Sequence, residues 1–139
     1  MYIFDILSGP HSSRATFSVI TYDTLVRAGI SVTSAFVASD SSAPEKDTSP
    51  TLATCSRGVS ILPDAYLRPL DFGPDKFDAL IIPGGAKGAE TIAGSSAVQH
   101  LVREYFEKGK VVGMICAGVF LENPDSALML MLGLCYFYR

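Results

Sequence analysis

The chain predicts an α/β three-layer sandwich built on a mostly parallel sheet. Three observations carry this. Short β-prone apolar runs recur along the 139 residues, at 2–7, 30–38, 77–82 and 110–115. Helix-spaced apolar stripes separate two pairs of them, at 16–28 and 98–106. The later runs carry little polar alternation, which marks strands covered on both faces by helices.

Each element has a local reason. Residues 2–7 read as a short buried strand, and Gly9-Pro10-His11-Ser12-Ser13 as a loop. Phe17, Ile20, Leu25 and Val26 lie at rough helical spacing, and Gly29 is a suitable C-terminal stop. Residues 30–38 alternate and are β-branched, as a second strand should be. Residues 39–50 are rich in Ser and Pro and read as an exposed excursion, with a short strand pair over 58–64. Strand 77–82 then runs into Pro83-Gly84-Gly85, followed by a further loop at Ala86-Lys87-Gly88. Ser95 or Ser96 caps a helix whose stripe is Val98, Leu101, Val102, Tyr105 and Phe106, and Gly109 ends it. Residues 110–115 form the next strand. The tail, 126–138, is almost wholly apolar but too short, with Gly133 inside it, for a comfortable membrane span; a buried helix or strand is the favoured reading.

Composition narrows the function classes. A chain of 139 residues with 48% hydrophobic and 18% charged residues is one globular domain, 1–139. A net charge of −3 with no Lys/Arg cluster argues against nucleic acid and anionic membranes as partners. The N-terminus lacks a basic start and carries Asp5 early, which suits a first strand better than a signal peptide. Cys55, Cys116 and Cys135 are widely separated, with no metal-ligand spacing. That pattern fits no disulfide framework or structural metal and suits a reducing, cytoplasmic compartment.

The chemistry-bearing feature is Val111-Val112-Gly113-Met114-Ile115-Cys116-Ala117-Gly118. A buried strand ends in a cysteine followed by two small residues, the pattern of a nucleophile elbow. A helix start beyond it favours thiolate, the reactive form; the bland alternative is a buried small hydrophobe. Gly84 and Gly85 follow a neighbouring strand. Either they form a tight turn or their backbone N–H groups, with that of Ala117, stabilise an oxyanion. An acid or base partner is harder to find. His100 lies beside the stripe of its helix, and His11 in the first loop. Glu90 and Glu122 read as ordinary surface carboxylates, Cys55 and Cys135 as unactivated, and Lys108 and Lys110 as solvated.

Two blocks, Asp78-Ala79-Leu80-Ile81-Ile82-Pro83-Gly84-Gly85-Ala86-Lys87-Gly88-Ala89 and Gly113-Met114-Ile115-Cys116-Ala117-Gly118, resemble the DJ-1/PfpI family. The intervening helix fits its spacing. Leu25-Val26-Arg27-Ala28-Gly29-Ile30-Ser31-Val32 resembles that family's first helix leading into its second strand. The resemblance covers about 17–118; 119–139 is a divergent tail. It implies a flavodoxin-like sandwich, usually a homodimer, located in the cytoplasm or also the nucleus. It implies cofactor-independent chemistry on small dicarbonyls such as methylglyoxal and glyoxal, or on glycated protein. The activities are glyoxalase III (D-lactate dehydratase) and protein deglycase. Cys116 would be the nucleophile, with Gly84, Gly85 and Ala117 around the oxyanion. The same cysteine would be the oxidation-sensitive position, which supports an alternative role in redox sensing or chaperone-like stress protection.

Two departures stand out. The family's first-loop glutamate aligns with Thr16 or Phe17, and Ser12-Ser13-Arg14-Ala15-Thr16 contains no acid. The family's later histidine has no counterpart after Gly118, and the last strands and helix of the sandwich are not recognisable in 119–139. The expectation is a truncated member that keeps its nucleophile and backbone oxyanion hole and loses its acid/base groups.

Overall fold

The computed structural model describes residues 1–8, 15–37, 52–55, 57–114 and 136–138. Strand β1 (Tyr2–Ser8) leads to helix α1 (Ala15–Arg27) and back to β2 (Ser31–Val37). Three two-residue strands follow: β3 (Ala53–Thr54), β4 (Ser60–Ile61) and β5 (Ala65–Tyr66). Then come β6 (Ala79–Ile82), α2 (Ala86–Gly94), α3 (Ser96–Glu107), β7 (Val111–Met114) and β8 (Tyr136–Tyr138).

The main sheet runs β5-β2-β1-β6-β7-β8. Every pairing in it is parallel except β7 with β8, so the mostly parallel α/β sandwich is the observed fold. The short strands β3 and β4 form a separate antiparallel pair, with Ala53 opposite Ile61. A pair was expected within 58–64, but β4 takes its partner from before the turn, where Gly58 sits at φ 78. Residues 136–138 form a strand; 39–50 and 115–135, and with them most of the apolar tail, lie outside the described residues. No described helix is long and apolar enough to cross a membrane.

Strand alternation sorts the core into two layers. Ala35, Val37, Leu80, Ile82, Val112 and Met114 point to the α2/α3 side and pack with Ile92, Val98, Leu101, Val102 and Tyr105. Ile3, Ala79 and Ile81 point the other way, against Leu25 of α1 and Ile30. Phe36 shares that second side and packs with Ala53, Ile61 and Tyr66 of the hairpin region. Helix α1 and the β3–β4 pair therefore share one face of the sheet, and α2 with α3 cover the other.

Ser95 caps α3 by accepting the Val98 N–H at 3.4 Å. Gly109, at φ 61, terminates the turn after α3 as the sequence anticipated.

Candidate functional site

Strand β1 lies at the centre, with β2 on one side and β6 on the other. The chain winds outward from it in both directions, so the β1–β6 boundary is the topological switch point. In such sheets a crevice opens there beyond the carboxyl ends of the strands.

Pro83, Gly84 and Gly85 occupy that end of β6 and are all buried. Gly85 holds φ 140 and ψ 125, a conformation closed to residues with a Cβ. It is the N-cap of α2 and offers no side-chain acceptor to the helix. The first N–H groups of α2 thus have neither an intrahelical carbonyl nor a capping side chain. Such a helix start favours negative charge. The expected loop at Ala86-Lys87-Gly88 is instead the first turn of α2. Gly88 and Gly94 conceal the helix in the sequence, because glycine weakens any helical pattern; the alanines at 86, 89 and 93 are the signal that points to it.

Ile82 pairs with Met114, so the carboxyl ends of β6 and β7 lie side by side. Cys116 follows two residues after Met114 in sequence. Cys116 and Ala117 lie outside the described residues, as do His11, Glu122 and Cys135. Thr16 and Phe17 fall in the first turn of α1, the helix that follows β1. Phe17 is half-buried.

The ion-paired groups around Asp78 lie at the other, amino end of the strands. Asp78, just before β6, accepts the Tyr2 N–H at 2.9 Å and Lys110 Nζ at 3.0 Å. Its own N–H donates to the Tyr2 carbonyl at 2.7 Å, tying the amino ends of β1, β6 and β7 together. The Tyr2 hydrogen bond, then the lysine, hold the Asp78 carboxyl below the usual carboxylate range. Lys108 donates to Asp75 at 2.7 Å and lowers that carboxyl likewise. Lys108 and Lys110 are therefore paired, not simply solvated; their partners lie more than 30 residues away and no local pattern announces them. His100 is exposed, 3.6 Å from Glu104 on the same helix. Glu90 lies on α2. Cys55 is buried beside the β3–β4 pair, its Sγ 3.9 Å from the Ala53 carbonyl. Among the described residues, no three His, Cys, Asp or Glu side chains gather as a metal site would require.

A mostly parallel α/β sandwich with a glycine-built turn at its switch point defines the class of flavodoxin-like folds. Residues 13–127 match the DJ-1/PfpI family model, and the chain belongs to that family. It is 34% identical over 112 residues to protein dj-1beta of Drosophila melanogaster, covering 81% of this chain and 53% of the relative. It is 33% identical over 79 residues to the glutathione-independent glyoxalase DJ-1 of Schizosaccharomyces pombe, covering 54% and 41%. Among solved structures, the VC2308 protein superposes with a TM-score of 0.70 at 34% identity, covering 86% of this chain and 54% of that one. The chain spans about half the length of the curated relatives it matches.

Proposed function

We propose that this chain is a single domain whose Cys116 thiolate attacks small dicarbonyls, with methylglyoxal and glyoxal, or glycated protein, as substrates. The observation that carries the reading is Gly85: buried, at φ 140, at the switch point, beside the strand that leads to Cys116. In this reading Gly84, Gly85 and Ala117 offer backbone N–H groups to the oxygen that becomes negative as the thiolate adds. A C–S bond forms at the aldehyde carbon, and the carbonyl π pair moves onto oxygen. Transfer of hydrogen from C1 to C2 within the adduct oxidises one carbon and reduces the other. Water then releases the acyl group from sulfur and regenerates the thiol. The sum is methylglyoxal plus water giving lactate, with no external oxidant or cofactor. A relative named as a glutathione-independent glyoxalase supports the substrate class.

The test is D-lactate formation from methylglyoxal by the purified chain, compared with Cys116→Ala. Turnover that vanishes in the variant sustains the proposal; no D-lactate from the unmodified chain at any pH ends it.

A second reading, a redox-sensing or chaperone-like stress protein, is favoured by one observation. The family glutamate aligns with Thr16 or Phe17, and neither supplies a carboxylate. Oxidation needs only an accessible thiolate. One oxygen or more added at Cys116 after mild peroxide, by intact mass and peptide mapping, supports that reading; an unmodified Cys116 removes it.

We further propose a homodimer in the cytoplasm or nucleus. Its support is the outer surface of the α1 side, where Val19, Ile20 and Val26 of α1 are exposed. Leu52, Val59 and Leu62 around the β3–β4 pair, on the same face of the sheet, are exposed as well. Exposed apolar side chains sharing one face of the sheet in this way support an interaction surface there.

A further inference from the structure

The β3–β4 pair ends in a tight turn. The Gly58 N–H donates to the Cys55 carbonyl at 3.0 Å, and the Cys55 N–H to the Val59 carbonyl at 2.7 Å. Residues 57–60 are exposed without a break. Side chains alternate across such a pair. Ala53 and Ile61 pack inward with Phe36, so Thr54 and Ser60, opposite each other, face outward. Their hydroxyls stand 3.3 Å apart. Ser60 thus presents a primary hydroxyl to solvent. Arg57, three residues before it, is exposed as well. It is the one arginine in the chain with a serine or threonine at that distance after it. No acidic residue falls between 51 and 63, so the sequence around Arg57 does not offset its charge. The nearest one beyond, Asp64, is committed to the N–H and hydroxyl of Ser34, both at 2.7 Å.

We propose that Ser60 is a phosphorylation site, taken by a Ser/Thr kinase that selects arginine three residues before the acceptor. The Arg57 guanidinium offers such a kinase a bidentate, charge-assisted contact to a carboxylate. The Ser60 hydroxyl is the nucleophile. Its Oγ–P bond forms as the γ-phosphorus of ATP parts from the bridging oxygen. That oxygen leaves on ADP with the bonding pair, and the hydroxyl proton passes to the base of the kinase. Each strand of the pair is two residues long, so opening it to enter a kinase cleft costs little. The consequence rests on the homodimer reading above. Leu52 and Leu62 follow at the next position of the pair and Val59 precedes Ser60; all three are exposed. A phosphate among them must lose its hydration when that face is buried, so phosphorylation opposes association.

The full chain, incubated with magnesium ATP and the catalytic subunit of cyclic-AMP-dependent protein kinase, tests it. Intact mass and peptide mapping are expected to show one phosphate, at Ser60, and none there in Ser60→Ala. Arg57→Ala should lower kcat/KM for the phosphorylation by about tenfold or more, and Arg57→Lys should recover part of that loss. Both positions are exposed, so these variants keep the fold. Sedimentation velocity reads the consequence: the phosphorylated chain should associate about tenfold more weakly than the unmodified one. Ser60→Ala, treated with the same kinase, should associate as the unmodified chain does. No phosphate on the chain, a phosphate only at another residue, or a rate unchanged in Arg57→Ala overturns the site. Equal association of the phosphorylated and unmodified forms overturns the regulation. An unmodified chain that stays single at every concentration sinks the homodimer reading instead, and the mass result alone then decides the site.

Discussion

The helices on the two faces of the sheet contrast in what they bury. Helix α3 buries Val98, Leu101, Val102 and Tyr105 and exposes His100, Arg103 and Glu107. Its amphipathicity is complete: apolar groups lie inward and charges outward. Helix α1 reverses part of that order. It buries Ser18 and leaves Val19, Ile20 and Val26 exposed, Ile20 to 60%. The lesson is that the α3 layer is finished as a surface against water, whereas the α1 layer carries a surface suited to further burial. The charges on α1 do not offset this. Asp23 and Arg27 pair with each other at 2.8 Å on one turn, leaving the neighbouring apolar positions uncovered.

The contrast breaks most visibly under truncation of equivalent side chains. Leu101 is fully buried in the α3 layer. Leu101→Ala is expected to cost about 2–5 kcal/mol, from lost transfer energy and the cavity left behind. Ile20→Ala on α1 should change stability by no more than about 0.5 kcal/mol, since its side chain already meets water in the single chain. Urea denaturation at low protein concentration measures both. Equal losses at the two positions would mean that α1 is covered within one copy.

A smaller effect tests how the α3 layer is held to the loop beneath it. The Tyr105 hydroxyl donates to the Phe72 carbonyl at 3.0 Å, deep in the core. Phe72 stacks on Phe77 with ring centroids 5.5 Å apart, so the tyrosine fixes an aromatic pair as well as a strand approach. Tyr105→Phe leaves a buried carbonyl without its donor and should cost about 1–3 kcal/mol. Burial, then the charges of Asp78 and Glu104, raise the Tyr105 pKa far above that of a free tyrosine. The neutral phenol is therefore the folded form. The stability it contributes is complete below pH ~10 and declines as pH rises from there toward the folded pKa. The Phe variant should lose this alkaline component, seen as a flatter dependence of Tm on pH above ~10.

The acid limb has another origin. Asp75 and Asp78 have depressed carboxyl pKa values, from Lys108 and from Tyr2 with Lys110 respectively. The unfolded chain binds protons more readily at these positions. Their contribution is present above pH ~4 and is lost as pH falls through the depressed folded values. Asp78→Asn should flatten the acid arm of a Tm–pH profile, modestly, because the group is exposed.

How much of this was legible in the sequence follows from the range of each interaction. The α3 stripe and its Ser95 cap are local patterns, and both are observed. Strands β6 and β7 announced themselves as apolar runs, and their parallel pairing follows from the helices between them. Gly84 and Gly85 were legible as a turn at a strand end, and the left-handed φ of Gly85 gives that reading a geometric reason. Helix α2 was hidden by Gly88 and Gly94. Strands β3 and β5, two residues each, are too short to show any period. The pairing of Lys110 with Asp78 and the Tyr105–Phe72 bond join residues more than 30 positions apart, which only the fold brings together. The nucleophile is the reverse case, since Cys116 is legible from sequence and lies outside the described residues.

The smallest expected effect has the opposite sign and sharpens the comparison most. Ser18 is 3% exposed on the sheet-facing stripe of α1, with Thr21, Tyr22 and Leu25. Its Oγ has no hydrogen-bond partner among the described residues. A buried hydroxyl with no partner forfeits its hydration without return. Alanine removes that group, opens a gap of only one oxygen and has the better helix propensity. Ser18→Ala should therefore stabilise the chain by about 0.5 kcal/mol, where the same change at an ordinary buried serine destabilises. A urea midpoint shifted upward with an unchanged m-value shows it. A downward shift would mean that the hydroxyl is satisfied in solution, and that the interior of the α1 layer is as well matched as that of α3.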